Sequence, residues 1–167
     1  MYLLRHAKSS WDDPDRPDHE RPLAPRGVRD AKRMAGHLRD GHVEPELVIC
    51  SSARRTVDTL EPLRTALPDA TILVEDEVYA ASESRLLDRL RRIPEGVGSA
   101  MLIGHNPGLH DLAVSLAGKG DQDLRQRLES KFPTAALTTF AIEDGAWSSL
   151  EPGAAELVGF VTPKELG

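Results

Sequence analysis

Residues 1–11 read MYLLRHAKSSW, and this stretch decides the fold. Met1 to Leu4 form a short apolar run, which predicts a buried strand, and Arg5 and His6 follow it directly. Open α/β sheets build their active sites at the carboxyl ends of their strands. A strand that ends in a permanent cation and an imidazole therefore predicts a functional site at that end.

Two further strand ends carry related sequences. SAMLI (99–103) leads into GHNPG (104–108), and ELVIC (46–50) leads into SSARRT (51–56). The paired serines predict a helix cap, and the amides at a helix N-terminus favour an anion. Arginine matches the geometry of phosphate oxygens, and a neutral histidine can act as a nucleophile near neutral pH. Three such strand ends together predict one shared phosphate site with an imidazole nucleophile.

The rest of the chain alternates between helix and strand patterns. Apolar periodicity predicts helices from about residue 26 to 41 and over 53–67, 82–93, from 107, and 124–131. Further strands are expected at 71–74, 136–142 and 156–161, whereas Gly118-Lys119-Gly120 is interpreted as a helix end. This order predicts a single α/β domain over residues 1–167, with three α/β/α layers and a mostly parallel central sheet. The long irregular segment Trp11–Pro25 is expected to be functional.

Composition excludes several classes of protein. The net charge is −6 and aromatic residues make up only 4%, which argues against nucleic-acid binding by basic patches and stacked bases. No apolar run approaches the length of a bilayer span. We also expect no signal peptide, because the N-terminal residues show no basic segment followed by a long apolar stretch. The single cysteine, Cys50, fits a reducing compartment. We therefore expect a cytoplasmic protein without nucleic-acid or membrane partners.

Other phosphate chemistries fit the sequence less well. A cysteine phosphatase needs Cys-x5-Arg, but the sixth residue after Cys50 is Thr56, so Cys50 is interpreted as a core residue. His105 and His110 are five residues apart and do not share a helical face for zinc, and no P-loop motif is present. A non-catalytic phosphate-binding module remains an alternative to an enzyme.

These motifs resemble those of the histidine phosphatase superfamily, which has the phosphoglycerate-mutase-like fold. LLRHAKSSW (3–11), CSSARRTVDT (50–59) and IGHNPG (103–108) are similar to its three signature segments. The short chain and the Arg-Pro-Leu sequence at 21–23 resemble the SixA-type phosphohistidine phosphatases in particular. The short span between His6 and His105 implies a minimal cap over the site.

The resemblance implies roles for individual residues. His6 would be the phosphorylated nucleophile, and His105 would donate a hydrogen bond to the phosphoryl group during transfer. The other expected phosphate ligands are Arg5, Arg55, Arg21, Ser9 and Asn106. Spacing from Ser51 favours Arg55 over Arg54. Ala7 stands where the family has glycine, which leaves its backbone carbonyl free to hold the His6 ring.

The general acid and the substrate are less determined. Larger relatives use a carboxylate after the third strand, which makes Glu77 the candidate, although residues 75–77 fit an acidic surface turn equally well. Without an acid, the site would suit an N–P substrate with a good leaving group. The resemblance thus implies a metal-independent phosphatase without cofactor that removes phosphate from phosphohistidine on a protein, such as a histidine phosphotransfer domain in signal transduction. Small phosphomonoesters are the alternative substrates.

Overall fold

The fold is a central seven-stranded sheet covered by helices on both faces, as seen in a computed structural model that describes residues 1–142 and 146–167. The strands are β1 (Tyr2–Arg5), β2 (Leu47–Ser51), β3 (Thr71–Glu75), β4 (Ala100–Gly104), β5 (Ala117–Gly120), β6 (Leu137–Ile142) and β7 (Ala155–Val161). The helices are α1 (Pro25–Asp40), α2 (Arg54–Leu63), α3 (Glu83–Arg91), α4 (Gly108–Leu116) and α5 (Gln122–Ser130). Short 3-10 turns lie at Asp18–Glu20, Arg64–Ala66, Asp76–Val78, Trp147–Ser149 and Pro163–Leu166.

The strand order is β3-β2-β4-β1-β6-β7-β5. The strands β3, β2, β4 and β1 pair in parallel, whereas β6 runs antiparallel to both β1 and β7. The predicted three-layer α/β architecture with a mostly parallel sheet is confirmed. This order makes β2, β4 and β1 neighbours, so their carboxyl ends meet at one edge of the sheet.

Alternation along the inner strands explains the layers. Leu3 packs in a core cluster with α3, α4 and α5, whereas Leu4 packs in a second cluster with α1 and α2. Leu102 and Ile103 divide between the same two clusters on β4. Successive side chains of a strand point to opposite faces. A continuous apolar run therefore fills two separate cores, as expected for a parallel strand that is buried on both sides.

Two details differ from the sequence predictions. The predicted helix over 53–67 is α2, which ends at Leu63, one residue after Pro62, and a 3-10 turn follows. The segment interpreted as a helix end is strand β5, which pairs in parallel with β7. A Cβ atom at Gly118 would lie 1.9 Å from the Gly153 carbonyl oxygen, so the glycine permits a close backbone contact there. The small residues of β5 carry little of the apolar pattern that predicts a strand from sequence.

No helix among residues 1–142 and 146–167 combines the length and the hydropathy needed to cross a membrane.

Candidate active site

The candidate site lies where β1, β2 and β4 end. Arg5 and Gly104 are paired at the ends of β1 and β4, and the His6 amide continues this pairing by donating to the Gly104 carbonyl (3.1 Å). His6 and His105 are therefore brought side by side, with 5.1 Å between their ring centroids. Both side chains are buried, with 8% and 6% of the residue surface exposed. The sheet topology thus unites two histidines that are far apart in the sequence.

The His6 ring is held in one tautomer. Its Nδ1 lies 2.7 Å from the Ala7 carbonyl oxygen, which can only accept, so Nδ1 carries the hydrogen and Nε2 keeps its lone pair. Burial, together with the charges of Arg55, Arg5 and Arg21, lowers the pKa of His6 to about 4, against the opposing effect of the Ala7 hydrogen bond. His6 is therefore neutral at pH 7, with an imidazole nitrogen available as a nucleophile.

The second histidine is held by Ser51, the last residue of β2. Nε2 of His105 lies 2.7 Å from the Ser51 hydroxyl oxygen, while its Nδ1 is buried without a hydrogen-bond partner among the described residues. Burial first, and then the charges of His6 and Arg55, lower the pKa of His105 to about 3. The predicted capping of α2 by serine is wrong, because neither Ser51 nor Ser52 makes a side-chain cap with that helix. The Ser51 hydroxyl instead contacts the site.

Three guanidinium groups surround His6. Arg5 donates from Nη1 to the Phe132 carbonyl (2.9 Å), and its Nε is buried without a partner. Arg55 is buried at the start of α2, whereas Arg54 is exposed and lies 3.7 Å from Asp58. Arg55, Arg5 and Arg21 all lower the pKa of His6 through their charge. The structure therefore places Arg55 along the cleft that His105 also lines, whereas Arg54 is exposed.

Arg21 is fixed by several interactions. Its Nη2 donates to the Ser9 hydroxyl (2.6 Å) and its Nε to the Ser10 carbonyl (3.0 Å). The guanidinium also lies 3.2 Å from the centre of the Trp11 ring, a cation–π arrangement. Ser9 and Arg21 thus lie together beside the site, with Arg21 oriented by the segment that follows β1.

Asn106 lies next to Arg5 through a shared acceptor. Its Nδ2 donates to the Phe132 carbonyl (3.0 Å), the same oxygen that Arg5 contacts, and its Oδ1 is buried without a partner. Asn106 also lines a cleft of about 670 Å³ beside His105 and Arg55. The other residues along this cleft are Asp18, Ala80, Ala81, Ser82, Glu83, Ser84, Pro107, Gly108 and Asp111.

Asp18 is the site residue that the sequence reasoning missed. Its carboxylate accepts hydrogen bonds from Arg55 Nη2 (3.0 Å), Arg21 Nη1 (3.0 Å) and the Tyr79 hydroxyl (2.7 Å). These contacts, led by the Tyr79 hydrogen bond, lower the pKa of Asp18 to about 2. The only sequence signal was its place in the long irregular segment. His19, the next residue along this segment, has its Nε2 2.9 Å from the Ser52 hydroxyl oxygen.

Glu77 does not lie at the site. Its carboxylate accepts from Arg92 Nη2 (2.7 Å) and lies 3.3 Å from Arg89 Nε, and it lines a separate surface depression. The hydrogen bond from Arg92 lowers its pKa, which opposes a role as a proton donor. The 3-10 turn that follows β3 directs Tyr79 toward the site instead. The candidate general acid is therefore corrected to a member of a surface ion-pair cluster.

Metal and thiol chemistry find no support at this position. No group of three or more potential ligands among His, Cys, Asp and Glu is clustered within the described part of the chain. Cys50 is fully buried, and burial raises the pKa of its thiol to about 12. Cys50 is therefore a core residue of β2, as predicted from its spacing to the arginines.

Comparison with known proteins places this chain in a family. The sequence pattern of the histidine phosphatase superfamily (branch 1) matches residues 1–78. The "Uncharacterized protein Rv1276c" of Mycobacterium tuberculosis is 36% identical over 163 residues, covering 96% of this chain and all of that protein.

Two solved structures extend the similarity to the whole fold. A protein assigned as the phosphohistidine phosphatase SixA of Agrobacterium tumefaciens superposes with a TM-score of 0.82 at 30% identity, covering 97% of this chain and 96% of that one. The protein histidine phosphatase SixA complexed with tungstate gives 0.79 at 24% identity, covering 99% and 98%, and shows the likeness of fold alone.

The chain belongs to the histidine phosphatase superfamily, and its fold is that of the phosphatases of this superfamily. Within that superfamily it is of the SixA type, the compact form whose fold matches this chain from end to end.

Proposed function

We propose that this phosphatase works through a phosphohistidine intermediate on His6 and that it removes phosphate from phosphohistidine on a protein. The observation that carries the proposal is the His6 ring itself, neutral and held by the Ala7 carbonyl with Nε2 unprotonated among three arginines. In the first step Nε2 attacks phosphorus, a bond forms between them, and the bond from phosphorus to the leaving nitrogen breaks. Water then hydrolyses phospho-His6 and releases inorganic phosphate.

The arginines support this reaction electrostatically. In the transition state the transferred phosphoryl group spreads its negative charge over three equatorial oxygens, and preorganised cations stabilise that charge. Arg5 and Arg55 are assigned to this role, together with Arg21, Ser9 and Asn106 as further ligands. His105, also neutral, is assigned as a hydrogen-bond donor to the same phosphoryl group through one ring nitrogen, while its Nε2 contacts the Ser51 hydroxyl.

The preference for an N–P substrate rests on the position of the predicted general acid outside the cleft. Glu77 is paired with Arg92 away from the cleft, and Asp18 is ionised, with a pKa of about 2. An alkoxide leaving group needs a proton donor, whereas the imidazole of a phosphohistidine leaves readily once it is protonated. A cleft that is open at its rim fits a histidine displayed on a partner protein, such as a histidine phosphotransfer domain.

Small phosphomonoesters are the second candidate substrates, because the arginine cluster recognises the phosphoryl group and not the leaving group. In either case we propose a cytoplasmic enzyme that needs no cofactor and has no nucleic-acid or membrane partner. A role in signal transduction follows if the substrate is a protein phosphohistidine.

The test compares purified wild type, His6→Ala and the control His42→Asn on two substrates. One is a phosphohistidine-bearing phosphotransfer domain and the other is an aryl phosphate, both without added metal. His42 is exposed and lies outside the site, so this variant tests for non-specific effects of losing a histidine. We expect much faster turnover of the phosphohistidine, unchanged activity in His42→Asn and none in His6→Ala.

The other outcomes separate the parts of the proposal. Turnover of the aryl phosphate alone, lost in His6→Ala, would retain the mechanism and refute the phosphohistidine preference. Folded wild type without activity on either substrate would favour the non-catalytic phosphate-binding module.

A further inference from the structure

The most heavily bonded anion at the site is the carboxylate of Asp18. Both of its oxygens accept hydrogen bonds from arginines, and Oδ2 also accepts from the Tyr79 hydroxyl. The backbone carbonyl of Asp18 accepts from Nη1 of Arg55 (2.7 Å). The hydrogen bonds from both terminal nitrogens of Arg55 therefore go to Asp18 in this structure.

The same arginines lie close to the nucleophile. Asp18 and Arg55 line one cleft with His105, whose ring centroid is 5.1 Å from that of His6, and Arg21 is bonded to the same Asp18 carboxylate. A phosphoryl group bound at His6 thus approaches the guanidinium groups that Asp18 already contacts. Arg55 and Arg21 have further N–H groups, but a phosphate that uses the terminal nitrogens has to share or replace the carboxylate.

The charge balance of the site explains why a carboxylate that competes with phosphate for the arginines is useful. Three guanidinium groups carry one charge more than a dianionic phosphoryl group, and every turnover has to release inorganic phosphate. Uniformly tight binding of the phosphoryl group would stabilise the product complex as well as the transition state. A fixed carboxylate among the cations lowers the affinity for the product.

We propose that Asp18 is an internal counter-anion that competes with phosphate for Arg55 and Arg21 and thereby sets the phosphate affinity of the site. The inference rests on the proposed function, because it assumes that these arginines bind the phosphoryl group. Asp18 would therefore determine how tightly the site binds phosphate, and it would do so through its negative charge. The side chain of Asp18 is 51% exposed, so it can leave the arginines without crossing the core.

The experiment measures inorganic phosphate binding by calorimetry at low ionic strength. It uses wild type, Asp18→Asn, Asp18→Ala and the control Glu20→Gln. Glu20 lies in the same 3-10 turn, is exposed, and has no ion pair within the described residues, so its variant removes the same charge without touching the arginines. Thermal unfolding of each variant establishes that it is folded.

Both Asp18 variants should bind phosphate about tenfold more tightly than wild type, because a unit charge near the ligand is removed at a partly solvated position. The gain should shrink as salt increases, and phosphate should inhibit turnover of an aryl phosphate at correspondingly lower concentrations. Glu20→Gln should match wild type. Asp18→Ala is measured beside Asp18→Asn because alanine has no amide group that clashes with the guanidinium groups.

The opposite result would assign Asp18 a different role. If Asp18 only orients Arg55, Asp18→Ala will weaken phosphate binding and Asp18→Asn will leave it unchanged, which would overturn the inference. Normal turnover of wild type with no gain in either variant would refute the inference alone. Folded wild type with neither phosphate binding nor turnover would refute the proposed function and the inference together.

Discussion

The burial of His6 as a neutral imidazole makes a quantitative prediction about acid stability. In the folded chain its pKa is about 4, against the ordinary value of 6.5 that a histidine has in the unfolded chain. Between these two values the unfolded state binds more protons than the folded state, so the free energy of unfolding falls as pH falls through this window. Stability from this group is fully present above about pH 6.5 and is lost progressively toward pH 4.

The magnitude follows from proton linkage. Between about pH 7.5 and about pH 5.0, His6 should lower the free energy of unfolding by about 2 kcal/mol, because each pH unit within the window is worth about 1.4 kcal/mol per proton. His6→Gln cannot take up this proton, so its stability should decline by about 2 kcal/mol less than that of wild type over the same range. Burial, which is the main cause of the lowered pKa of His6, is thereby tested directly.

The assay is urea unfolding, followed by circular dichroism at several pH values in that range. His42→Asn serves as the control, because this exposed histidine lies outside the site, and its curve should run parallel to that of wild type. If the His6→Gln curve also ran parallel to wild type, the folded His6 would titrate like an unfolded histidine. The account of a buried, neutral nucleophile would then be wrong.

Three further substitutions test the structure. Glu77→Gln should leave kcat/KM within about twofold of wild type in steady-state assays, since Glu77 is paired with Arg92 away from the cleft. A loss of about 100-fold would instead show that Glu77 acts as the general acid. Ser51→Ala should lower kcat about tenfold while the fold persists, because His105 loses its hydroxyl partner; unchanged kcat would show that this contact does not orient the ring. Gly118→Ala should lower the free energy of unfolding in urea by about 2 kcal/mol or more, because the new methyl group would collide with the Gly153 carbonyl. An unchanged free energy of unfolding would contradict the close pairing of β5 with β7.

The convergence of the strand ends was predictable because it depends on local signals. Apolar runs before Arg5 and before residue 104 identify parallel strands, and parallel strands expose their carboxyl ends at one edge. The choice of Arg55 over Arg54 came from the family resemblance, because Ser51 and Arg55 have the spacing of the family's motif. In the structure Arg55 is buried against Asp18, whereas Arg54 is exposed.

What the sequence did not reveal depends on contacts between distant segments. Ser51 contacts His105 across 54 positions, and Tyr79 contacts Asp18 across 61, and neither pairing leaves a local pattern. Ser51 was interpreted from its neighbours as a helix cap, which is the local use of a hydroxyl. Glu77 was chosen because larger relatives have a carboxylate after the third strand, but the 3-10 turn there directs it to Arg92.

The proposed mechanism requires the phosphoryl group to pass through His6. The most direct measurement is a single-turnover reaction quenched within milliseconds at alkaline pH, where phosphohistidine survives, followed by tandem mass spectrometry of the N-terminal peptide. The account predicts a transient phosphoryl group on His6 that forms before inorganic phosphate appears and decays as phosphate accumulates. Phosphate release with normal kinetics and no phosphoryl group on His6 at any time, or a phosphoryl group on His105 instead, would contradict it.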